Sequence, residues 1–219
     1  MTERVDVLDH GYVRWVDHMG TDLSVVNAAR VSFEKESQKF SDSDLSLMRY
    51  LRRKNEWSPF RHAVITFEVY APLMVARQWW KYVVGSDHTM DAWNESSRRY
   101  VTEEPVYYSP EWRATPENKK QGSGELLPNP AASDLLRIRQ EQSIRDYEAA
   151  IESGIAPEQA RIFLLAYGLY VRWRWTASLQ SVLHFISQRL GEGAQSEISA
   201  YAEGVQRLTA ERFPISSGA

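Results

Sequence analysis

Alternating apolar and polar positions in Tyr12–Asp17 predict a short strand, closed by the turn Met19-Gly20-Thr21. Asp22–Ala29 reads as a helix. A second helix opens at Ser41-Asp42-Ser43-Asp44, where Ser41 can cap it and the acids suit its first turn. Leu45, Met48 and Leu51 follow at helical spacing, and Arg52-Arg53-Lys54 closes it. Trp57-Ser58-Pro59-Phe60 interrupts the pattern. Ala63–Ala71 is rich in β-branched and aromatic residues and predicts the clearest strand of the chain. Pro72 starts a helix with Leu73, Val75, Ala76, Trp79 and Trp80 on one side, and Val83–Asp91 breaks it. Glu103–Asn129 is a long Pro- and Gly-containing connection. From Ala131 onward the pattern is helical: a helix capped by Ser133 and stopped by Gly154, one from Pro157 through Tyr170, then Thr176–Leu190 and Ala194–Phe213. Mixed elements followed by helices argue an α+β fold, in a single domain over residues 1–219.

Composition narrows the chemistry more than the fold. The chain has 219 residues, 43% apolar and 25% charged, as in an ordinary globular protein. It has no cysteine, which excludes disulfide scaffolds, thiolate metal sites and cysteine nucleophiles. Five histidines scattered along the chain make a metal site an unattractive reading, so no metal is expected. A net charge of −3 gives no global field for nucleic acid. The first residues lack a basic start followed by an apolar stretch. The greasiest run, Phe163–Tyr170, is far short of a membrane span and reads as a buried helix. A cytoplasmic protein without membrane or nucleic-acid partners is expected.

Aromatics beside cations are frequent: Arg77-Gln78-Trp79-Trp80-Lys81, Arg99-Tyr100, and Arg172-Trp173-Arg174-Trp175. Such pairs can hold planar ligands, or they are core aromatics with solvated neighbours. The stretch Trp93-Asn94-Glu95-Ser96-Ser97-Arg98-Arg99-Tyr100 concentrates a carboxylate, two hydroxyls and two guanidiniums. Guanidinium forks take phosphate bidentately, hydroxyls complete the cage, and a carboxylate can hold a ribose hydroxyl or an arginine. On these residues alone the strip is a mononucleotide-phosphate candidate or a solvated charged turn.

The same strip resembles the signature of the flavin-dependent thymidylate synthases, RHRxxSxNExSxRY, in its second half. Further phrases of that family occur here in order: Ala29-Arg30-Val31-Ser32-Phe33, Ser58-Pro59-Phe60-Arg61-His62, Ala71–Trp79, Ala160–Leu164, His184–Arg189 and Ala194-Gln195-Ser196-Glu197-Ile198. The resemblance spans about residues 20–200. It implies an antiparallel sheet packed with long helices, and methylation at uracil C5 of dUMP without a cysteine nucleophile. Methylenetetrahydrofolate would donate the carbon, reduced FAD the hydride, and NADPH would reduce the flavin. It also implies a homotetramer with shared active sites. By position, Gln78, Glu95, Ser97, Arg98, Arg99, Arg161 and Arg189 would bind the nucleotide. Arg99 and Ser97 would take its phosphate, with the Arg98 backbone helping. Arg189 would serve catalysis at the O2/N3 edge of the base, where a fixed positive charge stabilises the electron-rich pyrimidine.

The flavin half departs from the pattern. Lys81-Tyr82-Val83 replaces RHR, about six residues are inserted before Asn94, and Arg61 and Glu56 replace a Glu and a His. Ser178, Gln180 and His184 stand where Asn, Arg and Asn or His are usual. Ser32, Ser58, Lys81, Ser178 and His184 are the expected FAD contacts. A divergent relative could accept UMP. The alternatives are a nucleotide-binding homologue that has lost flavin chemistry, and a single-stranded nucleic-acid binder. The inserted loop Val84–Ala92 would act as a lid at the cleft mouth.

Overall fold

The computed structural model describes residues 3–83, 91–100, 103–117 and 122–218. The proposed lid falls almost wholly on residues 84–90, outside the described residues. Five strands, β1 (Arg4–Val7), β2 (Gly11–Met19), β3 (Val64–Pro72), β4 (Ala92–Glu95) and β5 (Tyr170–Ser178), form one antiparallel sheet in the order β1-β2-β3-β5-β4. The helices are α1 (Asp22–Arg30), α2 (Asp42–Lys54), α3 (Leu73–Val83), α4 (Pro130–Glu152), α5 (Pro157–Ala160), α6 (Leu179–Arg189), α7 (Ser196–Ala210) and α8 (Pro214–Ser217). The fold is therefore α+β, with an antiparallel sheet packed against helices.

The β3–β5 pair carries the core. Alternation sends Ile65, Phe67, Val69 and Ala71 inward from β3, and Trp173, Trp175 and Ala177 inward from β5. Trp79 of α3 stacks on Phe185 of α6 at 4.1 Å between centroids and meets Trp173 and Trp175 edge-on. The opposite face is polar. There Glu68 takes Arg14 at 3.0 Å and the Tyr12 hydroxyl at 2.9 Å, and Arg174 lies 3.7 Å from it. Alternation thus resolves Arg172-Trp173-Arg174-Trp175: the tryptophans are core and the arginines are exposed.

Several sequence expectations hold. Ser41 forms a capping box with Asp44, and α1, α2, α3 and β3 stand where the pattern placed them. Gly20 takes φ +84° in the expected turn, a conformation that side-chain-bearing residues rarely adopt.

The helix expected from Pro157 through Tyr170 is corrected. Only α5 and two 3-10 turns, Arg161–Phe163 and Ala166–Gly168, precede β5. The run Phe163–Tyr170 is not a buried helix: Phe163 is 49% and Tyr167 68% exposed. The two-residue period beginning at Tyr170 makes a strand, and its pairing with β3 outweighs the apolar run before it. β1 and β4 were not expected. Asn129, rather than Ser133, caps α4, accepting from the Ala132 N–H at 3.1 Å with Pro130 at the first helical position. The Ser133 hydroxyl instead accepts from the Trp112 indole at 2.9 Å.

Candidate functional site

Three elements meet to form a floor. Pro72 ends β3, and α3 then turns Val75, Ala76 and Trp79 inward while leaving Gln78 half-buried. α6 ends on Arg189, a cation placed where the helix dipole favours one and only 8% exposed. Its guanidinium donates to the Gln78 carbonyl at 2.7 Å. The Gln78 amide donates to Gln195 Oε1 at 2.6 Å, and Gln195 Nε2 donates to Glu197 Oε2 at 2.8 Å. Gln195 and Glu197 sit at the N-terminus of α7. Gln78, Arg189 and the bend Gly191–Gln195 line an open cleft of about 560 Å³.

The second group of expected nucleotide residues is built differently. Among the described residues β4 is the sheet edge and pairs with β5 alone, from Ala92 opposite Thr176 to Glu95 opposite Trp173. The chain then turns, with the Tyr100 N–H bonded to the Ser97 carbonyl at 2.9 Å. The Ser97 hydroxyl accepts from Arg99 N at 3.3 Å and Arg99 Nε at 3.2 Å. Arg98 points to α4, donating to the Glu103 carbonyl at 2.6 Å and lying 5.8 Å over the Tyr147 ring. Glu95 faces a hollow of about 470 Å³ shared with Leu73, Ala76, Arg77, Trp80 and Trp93. Burial raises its pKa, against the opposing effects of Trp93 and the Arg161 guanidinium. Arg161 begins the 3-10 turn Arg161–Phe163 and donates to the Glu158 carbonyl at 3.1 Å. The structure thus brings Gln78 to Arg189 and Arg161 toward Glu95. The cleft and the hollow share no lining residue.

The expected flavin residues separate as well. His184 lines a third cleft, of about 480 Å³, with Arg52, Asn55, Trp57, Gln180 and Ser187. Burial lowers the His184 pKa, so its imidazole is neutral at pH 7. Ser58 begins the 3-10 turn Ser58–His62 and is exposed beside Trp57. Arg61 in the same turn donates to Gln180 at 2.7 Å and ties it to α6. Lys81 is exposed near the end of α3, and Ser32 is exposed in the 3-10 turn after α1; neither lines the third cleft. Ser178 is fully buried, and its hydroxyl accepts from the Ser181 N–H at 3.2 Å. Within the chain it serves as the cap of α6. Gln195 lines the first cleft with Glu197 bonded behind it; neither is among the residues expected from sequence, although the phrase AQSEI contains both. Trp57 and Asn55 carried no motif signal.

The fold is thus an antiparallel sheet and helices bearing three separate clefts, two of them edged by tryptophan and one by the Arg189 guanidinium. The family model described as Thymidylate synthase complementing protein matches residues 14–215. A flavin-dependent thymidylate synthase from Thermus thermophilus is 39% identical over 96% of this chain and 76% of its own length. That of Anaplasma marginale is 38% identical over 97% of this chain and 72% of its own. A solved UMP/dUMP methylase, PolB from Streptomyces cacaoi, bound with 5-Br dUMP, superposes with a TM-score of 0.83 at 27% identity, covering 98% of this chain and 96% of PolB. The chain belongs to the flavin-dependent thymidylate synthase family. No helix among the described residues is long and apolar enough to cross a membrane.

Proposed function

We propose that this protein methylates uracil C5 of dUMP, forming dTMP, with reduced FAD and methylenetetrahydrofolate as co-reactants and NADPH as reductant. The observation that carries the reading is the floor of the first cleft: a buried Arg189 guanidinium fixed to the Gln78 carbonyl at 2.7 Å. For C5 to act as the nucleophile, the pyrimidine must reach an electron-rich, enolate-like state with negative charge at its O2/N3 edge, from which density flows to the carbon donor as the bond forms. A positive charge already held in place beside the O2/N3 edge stabilises that state without reorganising. Arg99 and Ser97 take the phosphate, and Glu95 and Arg161 close on the sugar and base. The flavin, when bound, supplies the hydride that completes the methyl group. The third cleft fits such a group in its donor set: an indole face at Trp57, a neutral imidazole at His184, and amides at Asn55 and Gln180. Ser58, Ser32 and Lys81 are the remaining proposed contacts, with Lys81 as the cation for the flavin phosphates.

Arg189 and Gln78 line one cleft of the chain, while Glu95 faces another hollow. A homotetramer with shared sites would join the two groups. Exposed apolar side chains support this, because they adjoin the separated residues: Trp80 (59%) beside Lys81, Tyr100 (78%) beside Arg99, and Ile162 (81%) beside Arg161. Ile162→Asp is expected to dissociate the assembly and abolish turnover while the circular dichroism of the chain is retained. An intact, active tetramer would remove this surface from the interface.

The test of function is turnover with dUMP and UMP side by side, given methylenetetrahydrofolate and NADPH, reading the 5-methyl product. PolB, described as a UMP/dUMP methylase, makes UMP the competing substrate to include. A second reading, a nucleotide binder without flavin chemistry, is favoured by one observation. Arg61 donates to Gln180 at 2.7 Å, at two positions where the family pattern has a Glu and an Arg. A colourless protein that takes up no added FAD, yet binds dUMP, would establish that reading.

A further inference from the structure

Gln78 and Gln195 are amides, and an amide can face either way. What fixes these two is the residue at the end of the row. Glu197 is 9% exposed and offers only acceptor oxygens. Its Oε2 takes Gln195 Nε2 at 2.8 Å and the Ser196 hydroxyl at 3.2 Å, and its Oε1 takes the Tyr108 hydroxyl at 3.4 Å. Gln195 must therefore turn its NH2 toward Glu197. Its other N–H direction meets the Met74 sulfur at 4.0 Å, so its carbonyl is left for Gln78. Gln78 must in turn spend an N–H on Gln195, and among the described residues nothing takes Gln78 Oε1.

We infer that Glu197 is a positioning residue: through Gln195 it sets the donor–acceptor polarity of Gln78, so that Gln78 presents a carbonyl oxygen to an N–H or O–H donor of the nucleotide. The inference rests on the proposed nucleotide cleft. The donor is either the imide N3–H of uracil or a sugar hydroxyl, and the two are chemically separable. Glu197 never touches the ligand. Without it, Gln195 loses its reason to face one way, and Gln78 can turn an N–H where the nucleotide also has one.

The experiment titrates dUMP, 3-methyl-dUMP and 2′,3′-dideoxy-UMP into the full-length wild type, Gln78→Ala, Glu197→Leu, Glu197→Gln and Gln195→Met. In wild type, one analogue should bind more weakly than dUMP, and which one identifies the donor. Glu197→Leu should weaken dUMP about 3- to 10-fold, the scale of one net hydrogen bond. It should also bind dUMP and that analogue equally. Glu197→Gln can keep a carbonyl toward Gln195 while its amide turns to the Tyr108 hydroxyl, so it should restore most of the affinity and the discrimination. Rescue by this variant is what a packing role alone would not give. If Glu197→Leu fails to fold, Gln195→Met breaks the row at a position whose side chain caps nothing, and carries the same expectation. Full discrimination retained in Glu197→Leu or Gln195→Met, with Gln78→Ala weakened, overturns the relay. Undiminished dUMP binding by Gln78→Ala overturns the nucleotide cleft itself.

Discussion

The floor at α3, α6 and α7 and the strip from Glu95 to Tyr100 bear residues of the same proposed site, yet their physics differ. Gln78, Gln195 and Arg189 bond to one another across three elements, over a core of Trp79, Trp173, Trp175 and Phe185 that is at most 1% exposed. The strip bonds mainly to itself and to the sheet edge. Ser97 accepts from Arg99 two residues away, and Tyr100 is 78% exposed. The floor is preorganised by the chain, whereas the strip presents charge and hydroxyls at the surface. Substitutions in the floor should therefore cost stability, turnover or discrimination between nucleotides, and those in the strip should cost affinity without stability.

The sharpest way to break this contrast is Trp79→Ala. The indole is fully buried and stacked on Phe185 at 4.1 Å, so its removal leaves a large cavity. Stability should fall by about 3–5 kcal/mol in a denaturant titration. A loss under about 1 kcal/mol would mean that the floor is not locked.

Arg189→Lys comes next. It keeps the charge but loses the planar fork that reaches the Gln78 carbonyl. Turnover should drop about 100-fold while dUMP affinity changes by less than about tenfold, the mark of an interaction stronger in the transition state than in the ground state. Equal losses in both would make Arg189 a plain binding residue.

Arg99→Ala probes the strip. Its partner in the chain is the neighbouring Ser97 hydroxyl, so stability should stay within about 0.5 kcal/mol. Binding of dUMP should weaken by roughly 1.5–3 kcal/mol, the scale of a hydrogen bond to a charged group. Calorimetric titration and a melting curve on the same sample separate the two outcomes.

The strip was legible before the fold because its residue types crowd into one short phrase. The floor was legible only in part. Gln78 and Arg189 lay within recognisable phrases, but Glu197 acts on Gln78 across 119 positions of sequence, and no local pattern encodes that separation. Ser178 shows why a serine is hard to read from sequence. A serine before a helix is both a hydrogen-bonding candidate and a good cap, and at Ser178 the cap prevails. β5 was misread because Phe163–Tyr170 is apolar at every helical spacing. The alternation that decides the strand begins only where that run ends. Arg30 is instructive in the opposite sense. It sits in the phrase Ala29–Phe33, yet its guanidinium is spent on Asp44 at 2.6 Å.

That pair tests the contrast from the locked side. Asp44 is fully buried and accepts from Arg30 Nε at 2.8 Å, the Ser37 hydroxyl at 2.9 Å and the Ser41 hydroxyl at 2.6 Å. Burial pushes its pKa up, but the hydrogen bonds from Ser41, Arg30 and Ser37 overcome that and hold it at about 2, against an ordinary 3.8. A carboxylate with a depressed folded pKa contributes stability that is present above the unfolded value and lost as pH falls through the folded one. The junction of α1 and α2 should therefore keep its full stability down to about pH 4 and lose this part between about pH 4 and 2. Asp44→Asn removes the titrating group, so the variant should be less stable at pH 7, with a flatter dependence of melting temperature on pH across that window. Arg99→Ala, in the open strip, should leave the slope as it is in wild type. If Asp44→Asn retains the wild-type slope, other carboxylates govern the acid limb and the Arg30–Asp44 junction is not among the contacts that hold the fold at low pH.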